Sequence, residues 1–129
     1  MEGYNKKLGD FGEEKAALYL RRRGYKIIER NYRAGRSGEL DIIAKSPDGV
    51  IVFAEVKTRT GNLMGDPRDA VDFYKKKHII NAALTYISRK NLYGEDARFD
   101  VIEVIPVKKG IIKGVKINHI KEAFEVNDV

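Results

Sequence analysis

The chain has 129 residues, the usual size of one domain, and with 43% hydrophobic residues it can bury a core. Its 25 Lys and Arg against 19 Asp and Glu give a formal net charge of +6. That surplus favours a polyanionic partner, nucleic acid before an anionic membrane, although a basic protein with no special partner has the same balance. Cysteine is absent, which excludes disulfides, zinc–thiolate sites and a cysteine nucleophile. His78 and His119 stand too far apart in sequence to suggest a histidine-rich metal site. No apolar run approaches the roughly 20 residues of a membrane span, so no membrane partner is expected. The chain opens without the apolar stretch of a signal peptide, and a cytoplasmic location is expected.

Residues 7–23 read as a helix with Gly24 as its stop signal. Glu13, Ala16, Ala17 and Leu20 share one face of it. Residues 25–33 read as a strand, and 34–38 as a flexible basic loop. Residues 39–44 and 50–57 are β-rich runs joined by Ser46-Pro47-Asp48-Gly49, a strong turn signal. A loop over 58–65 follows. Asp66-Pro67 is a helix start with Asp as cap, opening a long helix within 67–89 whose apolar stripe is Ile80, Ala83, Leu84 and Ile87. Residues 98–107 are apolar on both faces in the middle, as in an interior strand. A turn at 108–110 leads to a strand over 111–117, and a short helix over 118–124 ends the chain. Repeats, low-complexity segments and linkers are lacking, so one domain over 1–129 is expected. The order is α-β-β-β-α-β-β-α, an α/β fold with a mixed sheet flanked by helices.

Glu39, Asp41, Glu55 and Lys57 are all odd-numbered and lie in the two strands of the predicted hairpin. Successive strand residues point to opposite faces, so within each strand the charges share a face. If Ser46 faces Val50, Asp41 faces Glu55 and Glu39 faces Lys57. Directly opposed Cβ atoms are roughly 4.5–5.5 Å apart, and two carboxylates at that spacing can share a divalent ion. A slip of one residue would separate Asp41 from Glu55 across the sheet. Leu40, Ile42, Ala54 and Val56 take the other face and enter the core. Two adjacent carboxylates repel, and one must take up a proton unless a cation intervenes. Hard oxygen ligands without cysteine select Mg²⁺ or Mn²⁺. A water on such an ion can attack a phosphodiester, with Lys57 orienting it or stabilising phosphate charge. The carbonyl of Val56 is a further candidate ligand.

The bland alternative is a half-solvated hairpin with ordinary charge pairs. Glu13 either points toward the sheet and joins the site or reaches solvent at the edge of its stripe. Glu39 either joins the catalytic group or forms a cross-strand pair that positions Lys57.

Glu55-Val56-Lys57, following Asp41 on an adjacent strand, resembles the D…(D/E)-x-K motif of restriction-endonuclease-like nucleases. More narrowly, the chain resembles the YraN family of small proteins to which an endonuclease activity is ascribed. The likeness is carried by Gly9-x-x-Gly12-Glu13, Gly24-Tyr25, Asn31-Tyr32-Arg33, the run from Gly38 to Ala44 and the run from Val52 to Arg59. Lys75, Ala82-Ala83 with Tyr86, and Arg98-Phe99-Asp100 continue it. The resemblance implies a single nuclease-like domain with the fold of archaeal Holliday-junction resolvases. It implies a metal-dependent site made of Glu13, Asp41, Glu55 and Lys57, and a homodimer of the kind that acts on two-fold junctions. The proline usual before the catalytic Asp is replaced by Glu39-Leu40, which leaves the role of Glu39 open.

Arg33 and Arg36, in the segment leading into Glu39, and Arg59, just past E-x-K, are the candidate nucleic-acid contacts. Lys75 joins them through its family match, with a plain solvated lysine as the alternative. Such groups give salt-dependent, weakly sequence-specific binding. The function expected is a Mg²⁺- or Mn²⁺-dependent endonuclease acting on DNA, structure-specific at branches or junctions. A nucleic-acid-binding module of the same fold with little catalysis, and an RNA-processing factor, are the other two readings.

Overall fold

In the computed structural model, which describes residues 2–60, 66, 69 and 71–129, two helices and five strands follow one another. They are α1 (Glu2–Arg22), β1 (Lys26–Arg33), β2 (Glu39–Lys45), β3 (Ile51–Thr58), α2 (Phe73–Lys90), β4 (Ala97–Lys109) and β5 (Ile112–Phe124). The strands lie side by side in chain order in one sheet. β1–β2, β2–β3 and β4–β5 are antiparallel, and β3–β4 is parallel with α2 in the crossover between them. The expected mixed α/β sheet flanked by helices is what forms.

The two-residue period of the strands feeds two cores. Ile43, Phe53 and Val101 pack with Ile79, Ile80, Ala83 and Tyr86 of α2. Their sequence neighbours Ile42, Val52 and Ile102 pack with Ala16, Ala17 and Leu20 of α1. The helices therefore cover opposite faces of the sheet. Each fully buried Leu, Ile or Phe contributes about 1.5–3 kcal/mol relative to exposure. β4 is an interior strand, between β3 and β5, as its double-sided apolar run predicts.

α1 stops where the sequence says it should. Gly24 takes φ +86°, its N–H donates to the Arg21 carbonyl, and the Tyr25 N–H reaches back to the Leu20 carbonyl. This double bond to the last turn is the Schellman closure that favours glycine.

Three expectations need correction. α2 begins at Phe73, not near 67: Asp72 is the cap, accepting the Lys75 N–H at 2.8 Å, while Asp66 is non-helical. Pro67 and most of the predicted 58–65 loop lie outside the described residues. Residues 118–124 are strand rather than helix, because β5 keeps pairing with β4 through His119–Ile102, Ile120–Val101 and Phe124–Phe99. A 3₁₀ turn over Val126–Asp128 follows. Finally, Leu84 is 50% exposed; the buried stripe of α2 is Ile79, Ile80, Ala82, Ala83 and Tyr86.

Candidate functional site

The turn at 46–49 sets the register of the β2–β3 hairpin. The Ser46 N–H donates to the Val50 carbonyl, and the Val50 N–H donates to Ser46 Oγ. Ser46 therefore faces Val50, and the ladder runs Lys45–Ile51, Ala44–Val52, Ile43–Phe53 and Ile42–Ala54. The next step brings Asp41 beside Glu55 on one face, as the even register requires.

At that point the regular ladder ends. Rungs alternate, so Val56 would next exchange hydrogen bonds with Leu40. Instead its N–H donates to Asp41 Oδ2 at 2.8 Å. A side chain takes the place of a rung, and Leu40 packs with the α2-side core rather than with Ile42 and Ala54.

Glu55 is buried, at 7% exposure, and Asp41 is partly buried. Burial, then the neighbouring Asp41, pushes the Glu55 carboxyl up to about 8. Burial also raises Asp41, opposed by the Val56 N–H and by a hydrogen bond from Glu55. The pair thus holds a proton near neutral pH: protonated Glu55 donates to Asp41. Lys75 Nζ lies 3.3 Å from Glu55 Oε1. Burial works against the lysine's charge, but the pull of Glu55, Asp41 and Glu39 outweighs it and raises the ammonium.

Two glycines let the helices approach this end of the sheet. A Cβ on Gly12 would fall 1.7 Å from Thr58 Oγ1, so α1 runs against the end of β3 as only glycine permits. The next residue, Glu13, is raised to about 7 by burial and then by Asp41. Its Oε1 is buried with no hydrogen-bond partner among the described residues. On the opposite face a Cβ on Gly38, at φ +129°, would lie 2.7 Å from the His78 carbonyl oxygen. That contact holds the start of β2 to α2 one turn beyond Lys75.

Glu13, Asp41, Glu55 and Lys75 therefore converge, from four chain segments. Glu39 is peripheral. It does not pair with Lys57; its ion pair, 3.8 Å long, is to Arg33, its register partner on β1. The ladder has ended before it could face Lys57, which is exposed and makes no ion pair among the described residues. Arg36 is exposed in the 3₁₀ turn Gly35–Ser37. Arg59 instead is half-buried and ion-paired to buried Glu103. Lys75 is the surprise: half exposed, it is the ion-pair partner of buried Glu55. Its family match pointed to it, but no local pattern gave it this place, because α2, in the β3–β4 crossover, brings it from outside the hairpin.

Among the described residues no group of three or more Asp, Glu or His side chains is placed to hold a metal ion. The donor set still fits a hard divalent cation: oxygen ligands only, two adjacent carboxylates that burial and mutual repulsion leave holding a proton, and the Glu13 oxygen that has no hydrogen-bond partner among the described residues. Residue reasoning missed a second polar cluster. Asp100, wholly buried, accepts from His119 Nε2 at 2.7 Å, Arg98 Nε at 3.0 Å and the Glu122 N–H at 3.1 Å. Burial alone would raise this carboxyl, but those three donors hold it below its usual range. The cluster closes the β4–β5 bulge, where Glu122 takes φ +50°.

No described helix is long and apolar enough to cross a membrane. The chain is 14% identical to Pyrococcus furiosus SfsA, solved in complex with Ca²⁺, with a TM-score of 0.31. That match takes in 95% of this chain and 65% of that one, and nothing is drawn from so low a score. It is 48% identical over 120 residues to a UPF0102 protein of Clostridioides difficile, covering 93% of this chain and 98% of the relative. A UPF0102 protein of Clostridium perfringens is 43% identical over 129 residues, covering 98% and 100%. One of Geobacter metallireducens is 46% identical over 127 residues, covering 98% of each. The model of the uncharacterised protein family UPF0102 matches residues 12–104, which include Glu13, Asp41, Glu55 and Lys75. The chain belongs to this family, the YraN family that its sequence resembles.

Proposed function

We propose that this protein is a Mg²⁺- or Mn²⁺-dependent endonuclease that hydrolyses phosphodiester bonds in DNA. One observation carries the reading: Asp41 and Glu55 sit side by side at the end of the sheet, buried enough to share a proton, with a Glu13 oxygen nearby that has no partner among the described residues. Such a proton-holding pair is an unfavourable arrangement that a cation relieves, and perturbed carboxyls of this kind gather at functional sites. Asp41 and Glu55 would hold the ion, with Glu13 and the Val56 carbonyl as candidate outer contacts. When bound, the ion supplies positive charge to the phosphate and acidifies a water. Lys75 steadies the Glu55 carboxylate once its proton has left. Lys57, exposed one residue past Val56, is free to meet a phosphate oxygen, and Arg36 offers a second cation.

A specific observation favours a second reading. Lys75 already gives Glu55 a cationic partner at 3.3 Å, which suits a nucleic-acid-binding module that needs no metal. The test incubates purified protein with labelled duplex, single-stranded and branched DNA and with RNA, in Mg²⁺, Mn²⁺ or EDTA. Metal-dependent DNA cleavage lost in Asp41→Ala and Glu55→Ala is expected. No cleavage of any substrate, or cleavage indifferent to both substitutions, overturns the enzyme. Tight binding without cleavage supports the module, and cutting confined to RNA supports RNA processing.

A further inference from the structure

The β4–β5 hairpin runs out beyond the rest of the sheet. β4 pairs with β3 only as far as Val104–Thr58, then continues to Lys109 with β5 as its one strand partner among the described residues and Phe11 and Lys15 of α1 near its base. Five residues at about 3.3 Å each carry it roughly 16 Å past that last rung. Because β3 and β4 are parallel, it projects from the end of the sheet where Glu55 and Lys57 lie.

Its composition is one-sided. Between Glu103 and Glu122 the chain has no acidic residue and five exposed lysines, of which Lys108, Lys109, Lys113 and Lys116 lie on the part that runs beyond β3. Lys108 and Lys113 face each other across the two strands. Directly opposed like charges destabilise a hairpin unless an anion lies between or above them. At the tip, Ile111 is 96% exposed and Ile112 72%. Turns are normally polar, and two adjacent, nearly bare isoleucines within a lysine collar have no role in either core.

We propose that this hairpin grips the nucleic-acid substrate, those four lysines on backbone phosphates and Ile111 and Ile112 against base faces where the stack is broken. The charge selects a polyanion. Apolar wedges gain most at forks, flaps and junctions, where bases are already unstacked. The inference rests on the nuclease reading for the class of ligand, and the test separates the two.

Binding is measured by fluorescence anisotropy in EDTA, so cleavage plays no part, on a forked duplex and on a continuous duplex of equal length. The combined Lys108→Ala, Lys109→Ala, Lys113→Ala and Lys116→Ala variant is expected to lose at least tenfold in affinity at about 0.1 M salt. Its log K against log[salt] slope should fall by about 3. Ile111→Ser with Ile112→Ser should keep the slope and lose the preference for the fork. All six residues are exposed, and unchanged thermal melting verifies that the variants fold. Unchanged affinity and slope in the lysine variant overturn the proposal. So does DNA binding that is indifferent to the isoleucines, whether they prove to bind anionic phosphatidylserine vesicles or to hold a dimer seen by sedimentation. If the variants weaken binding but wild type never cleaves with Mn²⁺, the grip stands and the nuclease reading falls.

Discussion

Lys75 Nζ stands 3.3 Å from Glu55 Oε1, so the carboxylate pair on the β2–β3 hairpin receives its counter-charge from α2, the helix of the β3–β4 crossover. The lysine is half exposed, which limits the pair to about 1 kcal/mol. Its value depends on whether Glu55 is ionised. Lys75→Met should therefore destabilise the protein by about 0.5–1 kcal/mol at pH 8.5 in EDTA, and by less at pH 5.5, where Glu55 is protonated. Urea denaturation at the two pH values measures the difference. An equal loss at both would mean that Lys75 acts through packing alone.

Glu55 sets a direction for stability against pH. Its carboxyl titrates near 8 in the folded chain against 4.5 as an isolated side chain. Across that window the folded state holds a proton that the unfolded state has released, so stability is fullest below about 4.5 and falls as pH rises toward 8. The slope for one such group is at most about 1.4 kcal/mol per pH unit. Glu13, raised to about 7, acts in the same direction. Asp100 is lowered and loses its contribution only in acid, outside the window. Denaturant titrations from pH 5 to 8 in EDTA should show the decline, Glu55→Gln should flatten it, and Mg²⁺ should restore stability at pH 8 in wild type only.

Gly12→Ala sets helix propensity against space. Alanine is worth about 1 kcal/mol more than glycine inside a helix. The new Cβ, however, would fall 1.7 Å from Thr58 Oγ1 and 3.1 Å from Thr58 Cβ. Overpacking of this kind costs about 1–3 kcal/mol, so we expect a net loss of stability. Adding Thr58→Ala removes the nearer atom and should recover part of it. A double-mutant cycle in urea gives the coupling, and simple additivity would refute the contact.

Asp100→Ala leaves Arg98 and His119 buried without their shared acceptor, and should cost about 3–5 kcal/mol. The Glu122 N–H loses its partner as well. Hydrogen exchange should accelerate first at residues 118–124, ahead of the rest of the sheet. Uniform acceleration would show that the cluster does not specifically pin the end of β5.

What the sequence made legible was local. Ser46-Pro47-Asp48-Gly49 specified the turn, the turn specified register, and register placed Asp41 beside Glu55. Ala16, Ala17 and Leu20 announced the buried face of α1 through their spacing. Interactions that depend on distant partners were not legible. Asn118 to Phe124 lacks strict alternation and reads as a short helix, yet β4 offers an open edge and Asp100 a buried acceptor, and these hold it extended. Asp66-Pro67 has the form of a helix cap, but Asp72 performs the task. Glu39 faces Arg33 rather than Lys57 because β2 and β3 separate once Asp41 takes the Val56 N–H.

The position of α2 in the crossover has a kinetic consequence. Asp41 and Glu55 are joined by a tight hairpin, a closure of microseconds, whereas Lys75 arrives only when the β3–α2–β4 unit docks with its longer loops. The two acids therefore meet before their lysine does. During folding the hairpin carries an uncompensated repulsion at neutral pH, and protons or divalent ions in the medium relieve it at the step where the chain is least able to do so itself.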